Sequence, residues 1–154
     1  MTSIEYSVDD AVPDLPIEWI KTTVDTLITH PIFQTFPDHS TISVAFVHKP
    51  LMQELNHTYR GKNQPTDILS FVYNEQIQDQ ILLGEIIICT EQAKEDSEEL
   101  SIPLEQEYLW LFSHGLLHLM GYDHETEQEL VTMRNLETEC LEYVQDKLTE
   151  RGEY

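Results

Sequence analysis

Three of the chain's seven histidines fall in one short segment, SHGLLHLMGYDH at 113–124. His114 and His118 stand four apart, so on a helix they share a face, one turn apart. Gly121 can end that helix in a left-handed conformation that other residues adopt only at a cost. The chain then doubles back and returns His124 to the same place. The segment thus commits the fold to a helix closed by a tight reversal. Three neutral imidazoles leave a fourth tetrahedral position open for water, as in catalytic zinc sites. His114, His118 and His124 are therefore the expected metal ligands, with Zn2+ the expected ion and hydrolysis the expected chemistry. Nickel or another first-row ion can fill such a site in vitro. A structural zinc site usually has four protein ligands, and no cysteine lies nearby to supply the fourth. Asp123 is placed to serve as a ligand or to orient a ligand imidazole.

The spacing H-x3-H-x2-G-x2-H matches the metzincin zinc pattern. In that pattern a glutamate follows the first histidine and acts as the general base for peptide hydrolysis. Here the position is Gly115. The ligand spacing is kept and the base is absent, which directs the reading away from peptidases.

A second segment stands out because Lys and Arg together number only eight. Arg60 and Lys62 lie in LNHTYRGKNQPTDILSF, residues 55–71, between a helical and a strand-like stretch. Such a loop can deliver polar groups to a site at a sheet end. The guanidinium fork of Arg60 suits phosphate oxygens and can offset charge that develops beside a metal. Thr66, Asp67 and Ser70 can position the loop or touch substrate. The plainer alternative is routine pairing of Arg60 and Lys62 with surface carboxylates, and a turn-capping role for Asp67.

Period-two alternation at Ile4–Val8 and Ile42–Phe46, the run Ile68–Tyr73 and the dense β-branched run Leu82–Cys89 predict four strands, the last of them buried. Helical spacing predicts helices over 17–28, 51–59, 90–100, 103–119 and 126–148. Pro13 and Pro16 break the chain before the first helix, and Pro31 ends it. Thr90 is expected to cap the third helix, and Ser101 with Pro103 to start the fourth. Thr126 and Glu129 form a capping-box pair for the last helix, whose inward residues include Leu130, Met133, Cys140, Leu141, Val144 and Leu148. The order β-α-β-α-β-β-α-α-α implies an α+β fold in a single domain spanning 1–154. A small mixed four-stranded sheet is covered by about five helices, with the metal site at a helix end and the following turn.

The formal charge of −21 argues against a broad electrostatic grip on nucleic acid. A local positive cleft formed by the metal, Arg60, Lys62 and Lys49 would have to suffice. No apolar run is long enough to span a membrane, and no secretory leader is recognisable, so the expected location is cytoplasmic. Cys89 and Cys140 read as buried thiols.

The two site segments, together with LLGEIIIC at 82–89, resemble the YbeY family of bacterial endoribonucleases. The resemblance implies a single-strand-specific endoribonuclease of ribosomal RNA maturation and ribosome quality control, acting at the 3′ end of small-subunit ribosomal RNA. It implies a zinc-type site at His114, His118 and His124, with Arg60 functional in the cleft. The implied partners are single-stranded ribosomal RNA, ribosomal subunits and assembly factors, with neither DNA nor membrane among them. Glu85 departs from the aspartate expected in the LGD form of the strand motif. The rival readings are a metallopeptidase-like hydrolase and a non-enzymatic assembly factor with a structural metal. The proton acceptor stays open among Asp123, water at the ion and the RNA itself.

Overall fold

The computed structural model describes residues 2–12 and 15–152; Pro13 lies outside them. The alternating runs form β1 (Thr2–Val8), β2 (Ser40–Val47), β3 (Ile68–Ile77) and β4 (Gln80–Cys89). They make one sheet in the order β1-β2-β4-β3. β1, β2 and β4 run parallel, and β3 is antiparallel to β4, so the sheet is mixed as expected. The helices are α1 (Ile17–Leu27), α2 (Lys49–Arg60), α3 (Thr90–Leu100), α4 (Leu104–Leu119) and α5 (Glu127–Glu150). Their order along the chain is the one the periodicity predicts.

The sheet is buried on two sides to different depths. Ile42, Val44, Phe46, Ile86 and Ile88 pack in one core with residues of α1, α4 and α5, including Val24, Phe112, Leu116 and Val144. Val47, Leu69, Ile87 and Cys89 form a smaller cluster with Met52 of α2. β4 therefore carries apolar residues on both faces, which explains its unbroken run. Thr41 pairs with Leu82 and Ile42 with Gly84, so Leu83 is an extra residue, a bulge. The bulge turns Gly84, Ile86 and Ile88 toward α4.

Several local expectations give way. Pro31 opens a 3-10 helix (Pro31–Thr35), where His30 Nδ1 accepts the Ile32 N–H at 3.0 Å. Cys89 is the cap residue of α3, and Thr90 is already helical. Ser101 closes α3 in a left-handed conformation (φ 57°) rather than opening α4, which Pro103 caps. Leu130 is 37% exposed, because the first turn of α5 faces an open cleft. The Thr126–Glu129 capping box is present. The β3–β4 hairpin runs on through residues 74–80, which are exposed and, except for Ile77, polar, and so hide the strand signal.

Candidate metal centre

α4 lies directly on the sheet because Gly115 has no side chain to hold it off. A Cβ there would come within 2.9 Å of Ile86 Cδ1 and 3.3 Å of Ile68 Cδ1. His114 and His118 project beside it into the adjoining pocket, stacked with centroids 6.4 Å apart and planes 5° apart. The helix ends at Leu119, and Gly121 takes a positive φ of 104°. The Gly121 N–H donates to the His118 carbonyl and the Tyr122 N–H to the Leu117 carbonyl, which fixes the reversal. The returning His124 ring stands 5.4 Å from that of His114 and 6.5 Å from that of His118. Imidazoles bound to one tetrahedral ion stand about 5 Å apart, as follows from the metal–nitrogen bond length. The His114–His124 pair is near that spacing, and His118 sits wider.

Two of the rings are already aimed by their outer nitrogens. His114 Nδ1 donates to Glu137 Oε2 at 2.8 Å, and Glu137 is only 3% exposed. His118 Nδ1 donates to the Tyr122 carbonyl at 3.1 Å. These bonds fix the tautomer and leave each Nε2 lone pair for a cation. Burial, then the neighbouring His114, lowers the pKa of His118. Asp123 Oδ1 accepts the backbone N–H of His124 at 2.7 Å, so this carboxylate shapes the turn. The carboxylate that holds an imidazole is Glu137, which the sequence reading missed. Its signal was there: Met133, Glu137, Cys140, Val144 and Leu148 form the buried stripe of α5. A glutamate in an apolar stripe needs a partner.

The three imidazoles share a polar pocket of about 190 Å³ with Arg60, Thr66, Asp67 and Ser70. Arg60 is the last residue of α2, and Gly61 turns the chain away in a left-handed cap. The Cys89 N–H donates to the Asp67 carbonyl at 2.9 Å and ties the loop to the end of β4. Thr66 Oγ1 donates to Asp67 Oδ1 at 3.4 Å. Lys62 is exposed and does not line this pocket. Lys49 pairs with Glu95 at 2.6 Å and is likewise outside it, so the positive cleft reduces to Arg60. Glu85 accepts from Ser43 Oγ at 3.5 Å and Tyr73 Oη at 3.4 Å, on the α2 side of the sheet.

A larger cleft of about 770 Å³ adjoins the first and shares Asp67, His114 and His124 with it. Its wall includes Asp96 of α3 and Glu107 of α4, whose carboxylate oxygens and that of Asp67 lie within 4.8 Å of one another. Burial, then Asp67 and Asp96, pushes the Glu107 carboxyl up to about 7. Burial, then Asp96, raises Asp67. Two donor sets therefore line the connected clefts, one of nitrogens and one of oxygens.

No helix among the described residues is long and apolar enough to cross a membrane. The fold is similar to the solution structure of TM1509 from Thermotoga maritima, with a TM-score of 0.64 at 24% identity over 98% of this chain and 93% of that one. Endoribonuclease YbeY of Syntrophomonas wolfei is 41% identical over 115 residues, 69% of this chain and 74% of its own. Endoribonuclease YbeY of Alkaliphilus oremlandii is 36% identical over 140 residues, 88% of each chain. The family model described as Endoribonuclease YbeY matches residues 7–145. Nearly the whole described fold, both site segments included, thus falls within that match, and the chain belongs to the YbeY endoribonuclease family.

Proposed function

We propose that this chain is a metal-dependent, single-strand-specific endoribonuclease of ribosomal RNA processing, with its ion held by His114, His118 and His124. The observation that carries the reading is the convergence of three imidazoles and Arg60 on one polar pocket. The donor chemistry fits a zinc ion: two Nδ1 atoms are already committed, and their Nε2 atoms are left to the pocket. A divalent ion in this place supplies Lewis acidity toward a phosphodiester.

The chain's own residues supply the rest. Glu137 holds the His114 ring in its ligating orientation. Arg60 presents two N–H groups to a non-bridging phosphate oxygen and offsets the negative charge that grows there. Thr66 and Ser70 offer hydroxyls along the strand's path. Attack by the ribose 2′-hydroxyl would leave a cyclic phosphate and attack by water a plain phosphate, so analysis of the product ends distinguishes them.

The reading extends to 3′-end maturation of small-subunit ribosomal RNA, with ribosomal subunits and assembly factors as partners. A chain of net charge −21 binds free RNA weakly and depends on such partners for delivery. Metal-independent tight binding to random RNA would count against this.

The test uses protein purified without a nickel column, elemental analysis, and cleavage of a single-stranded ribosomal RNA fragment. His114→Ala should lose both the ion and the activity. Arg60→Ala should keep the ion and lose roughly 10²–10³-fold in kcat/KM. Cleavage that survives both substitutions sinks the reading. Normal RNA maturation by His114→Ala would favour an assembly role instead. Gly115 removes the peptidase alternative's general base, and any side chain at that position would crowd Ile86 and Ile68.

A further inference from the structure

We propose that Asp67, Asp96 and Glu107 form a second cation site, separate from the imidazoles, that takes one hard divalent ion such as Mg2+ or Mn2+. Three elements converge to make it: the loop before β3, the middle of α3 and the first turn of α4. Their carboxylate oxygens lie within 4.8 Å of one another. Carboxylates often cluster on an acidic protein, so proximity alone says little.

The second observation is the state of Glu107. It is 5% exposed, its oxygen points into the trio, and it has no hydrogen-bond or ion-pair partner among the described residues. A nearly buried carboxylate that has no protein partner and meets solvent only at the cleft is costly to keep charged. Its neighbours are only partly spent. Asp96 Oδ1 accepts from Gln92 Nε2 at 3.0 Å, and the Asp67 carboxylate takes a long contact from Thr66 Oγ1 and the backbone N–H groups of Ile68 and of Asp67 itself. An all-oxygen, trianionic set matches Mg2+ or Mn2+, whereas the imidazole set suits zinc. The open cleft leaves room for the waters such ions retain. Burial, then the charges of Asp67 and Asp96, raises the Glu107 carboxyl, a penalty that a cation would relieve.

Asp67 lines both clefts, so the second ion would lie beside the first site. A cation there turns an acidic wall into one that a phosphate strand can approach. That consequence rests on the nuclease reading; the cation site does not.

The test is Mn2+ binding to metal-free protein, followed by electron paramagnetic resonance, with Mg2+ as competitor and no RNA present. A His118→Ala background removes the imidazole site and should still bind one Mn2+ that Mg2+ displaces. Adding Glu107→Gln or Asp96→Asn should weaken that binding at least tenfold. Thermal melting controls for folding. Without cation, Glu107→Gln should melt at or above wild type; with Mg2+, wild type should rise and Glu107→Gln should not. Mn2+ binding unchanged by Glu107→Gln and Asp96→Asn, or absent from His118→Ala, overturns the site. So does a wild-type melting temperature indifferent to Mg2+. Because no cleavage is read, failure here leaves the nuclease reading where it stood.

Discussion

The nitrogen wall and the oxygen wall of the joined clefts are held in opposite ways. On the nitrogen wall, His114 and His118 are aimed from behind, by Glu137 and the Tyr122 carbonyl. On the oxygen wall, Glu107 faces two aspartates with no partner behind it. The first wall is organised before any ion arrives. The second is a set of like charges that only a proton or a cation relieves. Preorganisation sets geometry at little cost to the ligand-free protein, while opposed charges store a penalty that depends on pH and ions.

The largest expected effect breaks the nitrogen wall through its seat. Gly115→Glu should lose roughly 4 kcal/mol, because its Cβ would crowd Ile86 and Ile68 and a charged side chain would enter the helix–sheet contact. Chemical denaturation would show no cooperative transition near the wild-type midpoint. A soluble, wild-type-stable variant would refute the packing argument.

Next is the oxygen wall, read by pH in metal-free protein. The Glu107 carboxyl rises from 4.5 to about 7 on folding, under burial and the charges of Asp67 and Asp96. Between those values the native state holds a proton that the unfolded chain has released. Its share of stability is full below about pH 4.5 and is lost as pH rises through about 7, a change of roughly 3 kcal/mol. Comparing urea midpoints of wild type and Glu107→Gln isolates this share. A difference that does not grow over that window would remove Glu107 as its source.

Third, Glu137→Ala should weaken metal binding by roughly 10–100-fold. Glu137→Gln keeps an acceptor for the His114 Nδ1–H and should recover most of it, by competition against a chelator. Equal losses in both variants would mean that the carboxylate's charge, and not its aim, matters. Smallest is Thr126→Ala, which removes the hydroxyl that accepts the Glu129 N–H at 3.1 Å. It should cost about 1 kcal/mol and leave metal affinity unchanged.

The same two walls differ in how much a sequence reveals. The helices and most strands are legible because each buries one periodic face, and β4 because it is an unbroken apolar run. The histidines were legible because ligand spacing, a helical turn and a glycine reversal coincide within one segment. Glu137, Asp96 and Glu107 come from separate helices, and in a chain with 29 acidic residues they look like surface charge. Only position gives them away. Glu137 interrupts an apolar stripe, and Glu107 lies one turn before Leu111 on the buried side of α4. Lys49 misled because sequence cannot say that Glu95, on another helix, already holds it. The bulge at Leu83 and the left-handed Ser101 were invisible, since both are set by neighbours rather than by local preference.

Gly115 has one more consequence. A single amino-acid change, Gly115→Glu, separates the motif from the metzincin signature. The helix–sheet contact resists that step, because the new Cβ meets the side-chain ends of Ile86 and Ile68, which must shift to admit it. A mutational route from this chemistry to peptide hydrolysis is therefore eased by a prior change at Ile86, in the core and outside both clefts, before the catalytic residue appears.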